Sequence, residues 1–202
     1  MSTRQRQRSS TEFSVLVFGG SQGARAINEA MAASLPWMDG LRDVLRITHQ
    51  TGEVDYERVR AAYVNAGWGE NATVTKYIDD MVKEFAKVDL VICRAGATTT
   101  AELIAAGKAS VMIPFPLAAD DHQRKNAEAL AYVGAARMIL QKDLSGEQLA
   151  HEIARLAHEP ERLTDMEQAA RKLARGNAAA AVVDLIEKLV RPSTVDRRPS
   201  AV

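Results

Sequence analysis

The sequence lacks the features that mark secreted or membrane-spanning proteins. Its one cysteine, Cys93, excludes an internal disulfide. This residue closes the apolar run Leu90-Val91-Ile92-Cys93, where a small buried thiol is the expected role. No apolar stretch approaches the ~20 residues that span a bilayer, and the polar start from Met1 to Ser10 has no signal-peptide core. We therefore expect a cytoplasmic location, with peripheral attachment at the inner face of the cell membrane left open.

The chain also lacks an excess of charge of either sign. It has 26 basic and 26 acidic residues, so its formal net charge is zero. A balanced charge gives no support for a nucleic-acid partner, and we expect none. The 202 residues are 47% hydrophobic, which is enough for a sizeable core in one large domain, or in one domain with a helical appendage.

What the sequence does have is a regular alternation of short apolar runs and longer amphipathic segments. The apolar runs predict six strands, at 13–18, 44–48, 72–77, 89–93, 110–114 and 136–140. Helical patterns separate them, and from Ser145 onward only helices are expected, divided into three by Pro160 and Gly176. This alternation predicts an α/β fold, a Rossmann-like parallel sheet with helices on both faces. Residues 1–12 are expected to be a disordered leader and 191–202 a frayed tail.

In such a sheet the ligand lies beyond the carboxyl ends of the strands, so the segments after those ends are the first places to look for chemistry. The first is Gly19–Arg25 (GGSQGAR). Glycines between a strand and a helix let backbone N–H groups approach a phosphate. The spacing is neither the dinucleotide fingerprint nor a P-loop, and an ordinary glycine turn is the alternative.

The second segment is Arg94–Glu102 (RAGATTTAE), which also joins a strand to a helix. Its amides and hydroxyls can meet a second oxyanion, and Glu102 lies about one turn into the helix. A carboxylate there can accept hydrogen bonds from both hydroxyls of a ribose. The alternative is a glutamate that favours the helix start through the dipole.

Two further segments complete the set. In Tyr77–Met81 (YIDDM) the backbone can pair with the edge of a base, or Asp79 or Asp80 can simply cap the helix. In Pro114–Ala127 the amides of Gln123 and Asn126 suit sugar hydroxyls.

The histidines are less informative than the amides. His122, in the last segment, is a ligand contact, a general base or a surface residue at a helix start. The other three, His49, His151 and His158, are far apart in sequence and outside metal-ligand spacing.

Taken together, GGSQGA, YIDDM, CRAGATTTAE and PFPLAADDHQRKNA resemble the donor domain of one family, the UDP-N-acetylglucosamine:N-acetylmuramyl-(pentapeptide)-pyrophosphoryl-undecaprenol N-acetylglucosaminyltransferases of glycosyltransferase family 28. The resemblance covers roughly residues 13–190. It implies a GT-B fold whose C-terminal half holds UDP-N-acetylglucosamine, and inverting transfer of the sugar to lipid I to make lipid II in peptidoglycan synthesis. It implies neither a cofactor nor a metal.

The resemblance also implies roles for individual residues. The diphosphate would be bound by the first segment, the uracil by a backbone group of the third, the α-phosphate and ribose by the second, and the sugar by the fourth. The residues are Gly20, Ser21, Gln22 and Gly23 for the diphosphate; Ile78 for the uracil; Ala97, Thr98, Thr99 and Glu102 for the α-phosphate and ribose; and His122, Gln123 and Asn126 for the sugar. No catalytic residue is assigned.

The family pattern has two parts without a match in this sequence. The first is the acceptor domain, whose glycine-rich, histidine-containing loop binds the lipid. The second is an arginine just before the first donor strand, for which Arg4, Arg6 and Arg8 in the leader are no substitute. We therefore expect a donor half that needs a missing or separate acceptor-binding domain, an undecaprenyl-linked acceptor and, through that partner, a membrane surface. The alternatives are a non-catalytic sugar-nucleotide-binding subunit of a split transferase, and a related UDP-sugar:glycolipid transferase.

Overall fold

The computed structural model describes residues 12–20 and 24–175. Residues 1–11 of the expected leader, the expected tail, the helix predicted after Gly176 and three residues of the first glycine segment lie outside this part. The described elements, in chain order, are β1 (Phe13–Phe18), α1 (Arg25–Ser34), a 3-10 helix (Leu35–Leu41), β2 (Leu45–Gln50), α2 (Tyr56–Asn65), β3 (Ala72–Thr75), α3 (Met81–Lys87), β4 (Leu90–Cys93), α4 (Ala97–Ala106), β5 (Ala109–Met112), a 3-10 helix (Ala119–Asp121), α5 (His122–Tyr132), β6 (Ala136–Met138), α6 (Gly146–His158) and α7 (Pro160–Arg175).

The six strands form one parallel sheet in the order β3-β2-β1-β4-β5-β6. This confirms the predicted α/β class and the predicted number of strands. The order reverses between β1 and β4, which lie side by side at the centre, and a reversal of this kind opens a crevice at the carboxyl ends of the two strands.

Helices cover both faces of the sheet, as the apolar strands require. Val15 and Val17 of β1 belong to a core cluster that also contains buried residues of α1, α2 and α6. Leu16 and Phe18 point to the other face and belong to a second cluster with buried residues of α3, α4 and α5. Alternate residues of one strand therefore supply both cores, as the period of two dictates.

The boundaries of β1 match the prediction, and those of the other strands differ from it by at most two residues. β3 ends at Thr75 and β5 ends at Met112, so Tyr77 and Pro114 lie in the connections after these strands. β2 runs to Gln50, beyond the predicted end, because it continues to pair with β1 and β3. Within the described residues, no helix is both long and apolar enough to cross a membrane.

Candidate functional site

The six strands end on a single row across the sheet. The register aligns Phe18 with Gln50 and Cys93, Gln50 with Thr75, and Met112 with Cys93 and with Met138 of β6. Each of these residues is the last of its strand. The four predicted segments therefore leave the sheet at one level, which we call the carboxyl edge, around the reversal between β1 and β4.

The described part of the first segment includes one glycine with a left-handed backbone. Gly20 has φ +90°, a backbone conformation that residues other than glycine rarely adopt. Its neighbours Ser21, Gln22 and Gly23 lie outside the described residues. Helix α1 then begins at Arg25, with Ala24 as its N-cap and no side-chain cap. The N-cap residue Ala24 therefore provides no side-chain partner for the first-turn N–H groups of α1.

Helix α4 begins in a comparable way on the other side of the reversal. Its N-cap is Gly96, no side chain caps it, and its first turn carries no acid. The hydroxyl of Thr100 donates to the carbonyl oxygen of Gly96 at 2.8 Å and fixes this turn. Ala97 and Thr98 are exposed and Thr99 is half-buried. These three positions can offer N–H groups, and the threonines can add hydroxyls, to an anion at the positive end of the helix.

Glu102 lies in the second turn of α4 and is half-buried. It is four residues after Thr98, so the two side chains share one face of the helix. A phosphate group at the first turn and a hydroxyl-bearing ring at the second can thus bind along the same face.

The connection after β3 contains both a cap and the predicted base-reading residue. Oδ1 of Asp80 accepts from the N–H of Lys83 at 3.0 Å, which confirms Asp80 as the N-cap of α3. This hydrogen bond and Lys83's side chain lower the pKa of Asp80. Ile78 is half-buried and its side chain packs against the second core cluster. Since its side chain faces the core, its backbone is the part available to a ligand.

Arg94 organises the loops after β4, β5 and β6. Its guanidinium donates to the carbonyl oxygens of Ile113 and Pro114 at 3.1 and 3.3 Å and to Oε1 of Gln141 at 2.7 Å. It also lies 5.4 Å from the centre of the Phe115 ring, within cation–π range. Burial lowers the pKa of Arg94. The contacts make this arginine a structural link between loops.

The three predicted sugar contacts lie together at the start of α5, and each has a partner within the protein. Nδ1 of His122 donates to the carbonyl oxygen of Ala119 at 2.6 Å, and Nδ2 of Asn126 donates to the carbonyl oxygen of Ala95 at 3.0 Å. Oε1 of Gln123 accepts from the N–H of Phe115 at 3.0 Å. The acceptor end of Gln123 thus supports its own loop, and its NH₂ group remains the end that the sequence prediction can assign to a sugar hydroxyl.

A strained turn precedes α5. Asp120 and Asp121 have φ values of +49° and +55°, which are uncommon for residues with a side chain. Two such residues in succession fix the direction in which α5 leaves the loop. Backbone strain of this kind is concentrated at functional sites, which agrees with the position of the turn at the carboxyl edge.

Sequence reasoning missed a buried polar cluster beneath α1. Asn28 of α1 donates through Nδ2 to the carbonyl oxygen of Thr51 and to Asp55, at 3.0 and 2.9 Å. Since Oδ1 of Asn28 is an acceptor, Nε2 of His49 carries the proton of the 3.0 Å bond between them, and Nδ1 accepts from the Tyr63 hydroxyl at 3.2 Å. Burial lowers the pKa of His49 to about 3, so the ring is neutral. The cluster fixes α1 relative to β2 and α2.

Gln50 is the second residue that sequence reasoning missed. Its amide nitrogen donates to the carbonyl oxygens of Gly20 and Lys76, at 3.1 and 3.0 Å. The apolar pattern predicts the end of β2 at Thr48, which places Gln50 in a connection between elements. One indication was available in the sequence. The strand-like alternation that begins at Leu45 continues to His49, past the predicted strand end at Thr48.

An open depression of about 410 Å³ lies elsewhere, on the outer face of α6. It is lined by Ser145, Glu147, Gln148, His151, Glu152 and Arg155. None of the predicted ligand residues belongs to it. Ser145 has a structural role there, since its hydroxyl accepts from the N–H of Gln148 at 3.1 Å and caps α6.

The fold and the carboxyl edge define the class: a Rossmann-like α/β domain of the kind found in GT-B glycosyltransferases, in which neither α1 nor α4 has a side-chain cap at its N-cap residue beside the strand reversal. The model of the glycosyltransferase family 28 C-terminal domain matches residues 14–188. The chain belongs to this family.

Relatives that share one name support the assignment. The UDP-N-acetylglucosamine--N-acetylmuramyl-(pentapeptide) pyrophosphoryl-undecaprenol N-acetylglucosamine transferase of Geobacter sp. (strain M21) is 53% identical over 171 residues, which are 85% of this chain and 46% of the relative. That of Myxococcus xanthus (strain DK1622) is 48% identical over 191 residues, 93% of this chain and 49% of the relative. The chain thus spans about half the length of the curated relatives it matches.

Solved structures agree with the fold. The crystal structure of Acinetobacter baumannii MurG is 38% identical with a TM-score of 0.76, over 93% of this chain and 55% of that chain. WaaG, a glycosyltransferase involved in lipopolysaccharide biosynthesis, is 19% identical with a TM-score of 0.63, over 89% of this chain and 47% of its own, and shows the fold alone.

Proposed function

We propose that this chain binds UDP-N-acetylglucosamine at its carboxyl edge, as the donor half of an inverting N-acetylglucosaminyltransferase. The observation that carries the proposal is the pair of helix starts on either side of the strand reversal, those of α1 and α4, whose N-cap residues Ala24 and Gly96 make no side-chain cap. Helix starts of this kind bind the oxygens of a diphosphate. The family match from residue 14 to residue 188 supports one UDP-sugar-binding domain over residues 13–190.

The proposed ligand lies with its parts on different segments. The diphosphate meets the glycine turn after β1 and the first turn of α4, at Ala97, Thr98 and Thr99. The ribose hydroxyls donate to Glu102, and the uracil pairs with the backbone of Ile78. The support for this arrangement is that all these segments leave the sheet at one level.

The sugar lies on the α5 side in this proposal. Gln123 offers its NH₂ group to a hydroxyl of N-acetylglucosamine while its oxygen stays bound to the N–H of Phe115. His122 and Asn126 border the same position. Because Asn126 also holds the carbonyl of Ala95, it ties the sugar side to the phosphate side.

The proposed reaction is a direct displacement at the anomeric carbon. A hydroxyl oxygen of a lipid-linked acceptor bonds to that carbon, the bond from the carbon to the diphosphate oxygen breaks, and the acceptor's proton goes to a base on another domain or chain. The part of this chain is to orient the donor and to stabilise the negative charge on the departing diphosphate with fixed backbone dipoles. The whole enzyme would act on lipid I to form lipid II, at the inner face of the cell membrane.

Calorimetry tests the donor part of the proposal. UDP-N-acetylglucosamine should bind to the purified chain and NAD should not, because the glycine segment lacks the dinucleotide spacing. UDP-galactose tests whether the sugar is read: weaker binding than UDP-N-acetylglucosamine supports the assigned donor, and tighter binding favours a different hexose. If neither UDP-sugar binds, the proposal is wrong.

The transfer part needs a separate assay. The purified 202-residue chain should bind the donor but should not convert a lipid I analogue, because the acceptor-binding domain and the base belong to another domain or chain. The same assay with an added acceptor domain from a relative is the positive comparison. Turnover by the 202-residue chain by itself would contradict the assignment of the base to another part of the enzyme.

A further inference from the structure

Gln50 joins two of the segments to which the proposed function assigns the donor. It is the last residue of β2, between β1 and β3, and the residue is only 4% exposed. Its amide nitrogen Nε2 donates one hydrogen bond to the carbonyl oxygen of Gly20 and one to that of Lys76, with N···O distances of 3.1 and 3.0 Å. Gly20 belongs to the glycine turn after β1, and Lys76 is two residues before Ile78.

Backbone hydrogen bonds already hold part of this region. The N–H of Thr51 donates to the carbonyl oxygen of Thr75 at 3.0 Å, and the N–H of Gly52 donates to that of Lys76 at 3.2 Å. These bonds connect the end of β2 with the turn after β3. The side chain of Gln50 extends the connection across β2 to the glycine turn, because its one amide group bonds to a carbonyl oxygen in each turn.

The direction of these bonds matters for the ligand. In a trans peptide unit the N–H points away from the C=O. Fixing the carbonyl of Lys76 toward Gln50 therefore turns the N–H of Tyr77 away from it, next to the position assigned to the base.

We propose that Gln50 is a positioning residue that sets the separation and orientation of the phosphate-binding turn and the base-binding turn. This proposal rests on the proposed function, since it needs a ligand that reaches both turns. UDP does so, whereas uridine reaches only the base and ribose positions. Without the amide, the N–H of Gly52 still holds the carbonyl of Lys76, whereas the bond from β2 to the carbonyl of Gly20 is lost. Loss of the amide should therefore cost affinity for UDP more than affinity for uridine.

The test compares both ligands in the full chain and its variants. Gln50→Met keeps an unbranched side chain of similar length but removes both donors. We expect its affinity for UDP to fall about tenfold, the value of one to two hydrogen bonds, with uridine affinity within about twofold. Gln50→Asn keeps the amide one methylene shorter, cannot reach both carbonyls, and should show the same preference to a smaller extent. It also serves as the test if Gln50→Met does not fold.

Asn71 provides a matched control at the opposite edge of the sheet. Its Nδ2 donates to the carbonyl oxygens of Arg42 and Leu45, so it too is an amide that bridges two backbone carbonyls. Asn71→Leu should lower the unfolding temperature as the Gln50 variants do, but should leave the ratio of the UDP and uridine affinities unchanged.

The outcomes separate the two proposals. If wild type binds UDP and Gln50→Met loses affinity for UDP and uridine equally, or for neither, the positioning role is overturned and the proposed function stands. If Asn71→Leu changes the affinity ratio as much as Gln50→Met, the effect is one of general stability and the positioning role is again overturned. A wild-type chain that does not bind UDP overturns both.

Discussion

Glu102 and Asp80 are both acids near the start of a helix, but their positions differ. Asp80 is the N-cap residue of α3 and accepts a hydrogen bond from the N–H of Lys83. Glu102 lies in the second turn of α4, past the first-turn N–H groups that a cap would satisfy, and no side chain caps that helix. The position of Glu102 therefore favours a ligand contact over a capping role.

A substitution at Glu102 tests that contact. Glu102→Ala should weaken UDP binding by ~1.5–3 kcal/mol, the range for hydrogen bonds to a charged group, because two ribose hydroxyls lose their acceptor. Calorimetry with UDP measures it. Glu70→Ala is the control, since Glu70 is an exposed glutamate before β3, at the other edge of the sheet. Equal UDP affinity in wild type and Glu102→Ala would assign Glu102 to the helix dipole alone.

A substitution at Gln123 should change the affinities for two ligands by different amounts. Gln123→Ala should leave UDP affinity within about threefold and weaken UDP-N-acetylglucosamine by ~1–2 kcal/mol, because the lost NH₂ group meets the sugar and not the nucleotide. Titrations of both ligands into both proteins give the comparison, with the exposed Lys125→Ala as control. Equal losses for the two ligands would show that the bond from the Phe115 N–H to Gln123 supports the loop and that the sugar is read elsewhere.

At the residue scale, the sequence predicted which segments leave the carboxyl edge better than it predicted the links between them. Turn glycines, helix-start threonines and amides are visible as patterns because their spacing matches the strand ends. Gln50, Arg94 and His49 instead bond to partners 20 or more residues away in sequence, as in the bonds from Gln50 to Lys76, from Arg94 to Pro114 and from His49 to Asn28. Such contacts depend on the register of the sheet, which no local pattern contains.

At the scale of single elements, α3 offers a direct test of the two interpretations of YIDDM. Asp80→Ala should lower the unfolding temperature by about 2–4 °C, the usual effect of losing an N-cap in a chain of this size. UDP affinity should stay within about threefold, because the ligand contact belongs to the backbone of Ile78. Thermal unfolding and calorimetry on the same samples measure both.

The neighbouring acid is the matched control for α3. Asp79 is exposed and adjacent, and Asp79→Ala should change neither quantity. If Asp80→Ala abolishes UDP binding while the protein remains folded, the acid contacts the ligand and capping is not its main role.

The strand and helix pattern was predictable because each apolar run is short and turn residues come directly after it. All six strands were predicted, and the capping of α6 by Ser145 was visible in the Ser-Gly-Glu-Gln pattern. The two 3-10 helices, at Leu35–Leu41 and Ala119–Asp121, were not predicted. In the second, the left-handed backbone of two aspartates has no signature that distinguishes it from an ordinary loop.

At the scale of the whole molecule, stability should depend on pH through His49. Burial lowers its pKa to about 3, from 6.5 in an unfolded chain. Above pH 6.5 the ring is neutral in both states. Between pH 6.5 and 3 only the unfolded state binds the proton, so the free energy of unfolding falls as pH falls, by up to about 1.4 kcal/mol per pH unit. The loss from this group should reach about 2 kcal/mol at pH 5.

Urea unfolding between pH 8 and pH 4.5 measures this dependence. His49→Gln should flatten the slope, since an amide can still bond with Asn28 and Tyr63 but does not titrate. His158→Gln, at an exposed histidine, is the control and should keep the slope. The pKa of Asp55 is lowered from its usual 3.8: burial by itself would raise it, but the hydrogen bonds from Arg58 and Asn28 prevail. This acid therefore takes up its proton below the tested range. An unchanged slope in His49→Gln would contradict the account of the buried cluster.

The central claim is that a UDP-sugar binds at the carboxyl edge, and amide NMR shifts test it most directly. On addition of UDP-N-acetylglucosamine, the amide signals of Ile78, Thr98 and Thr99 should shift, and those of Asn71 and Gly107, at the opposite edge, should stay in place. This pattern would support the site residue by residue. Shifts confined to the opposite edge or to the outer face of α6, with Ile78 and Thr98 unchanged, would contradict it.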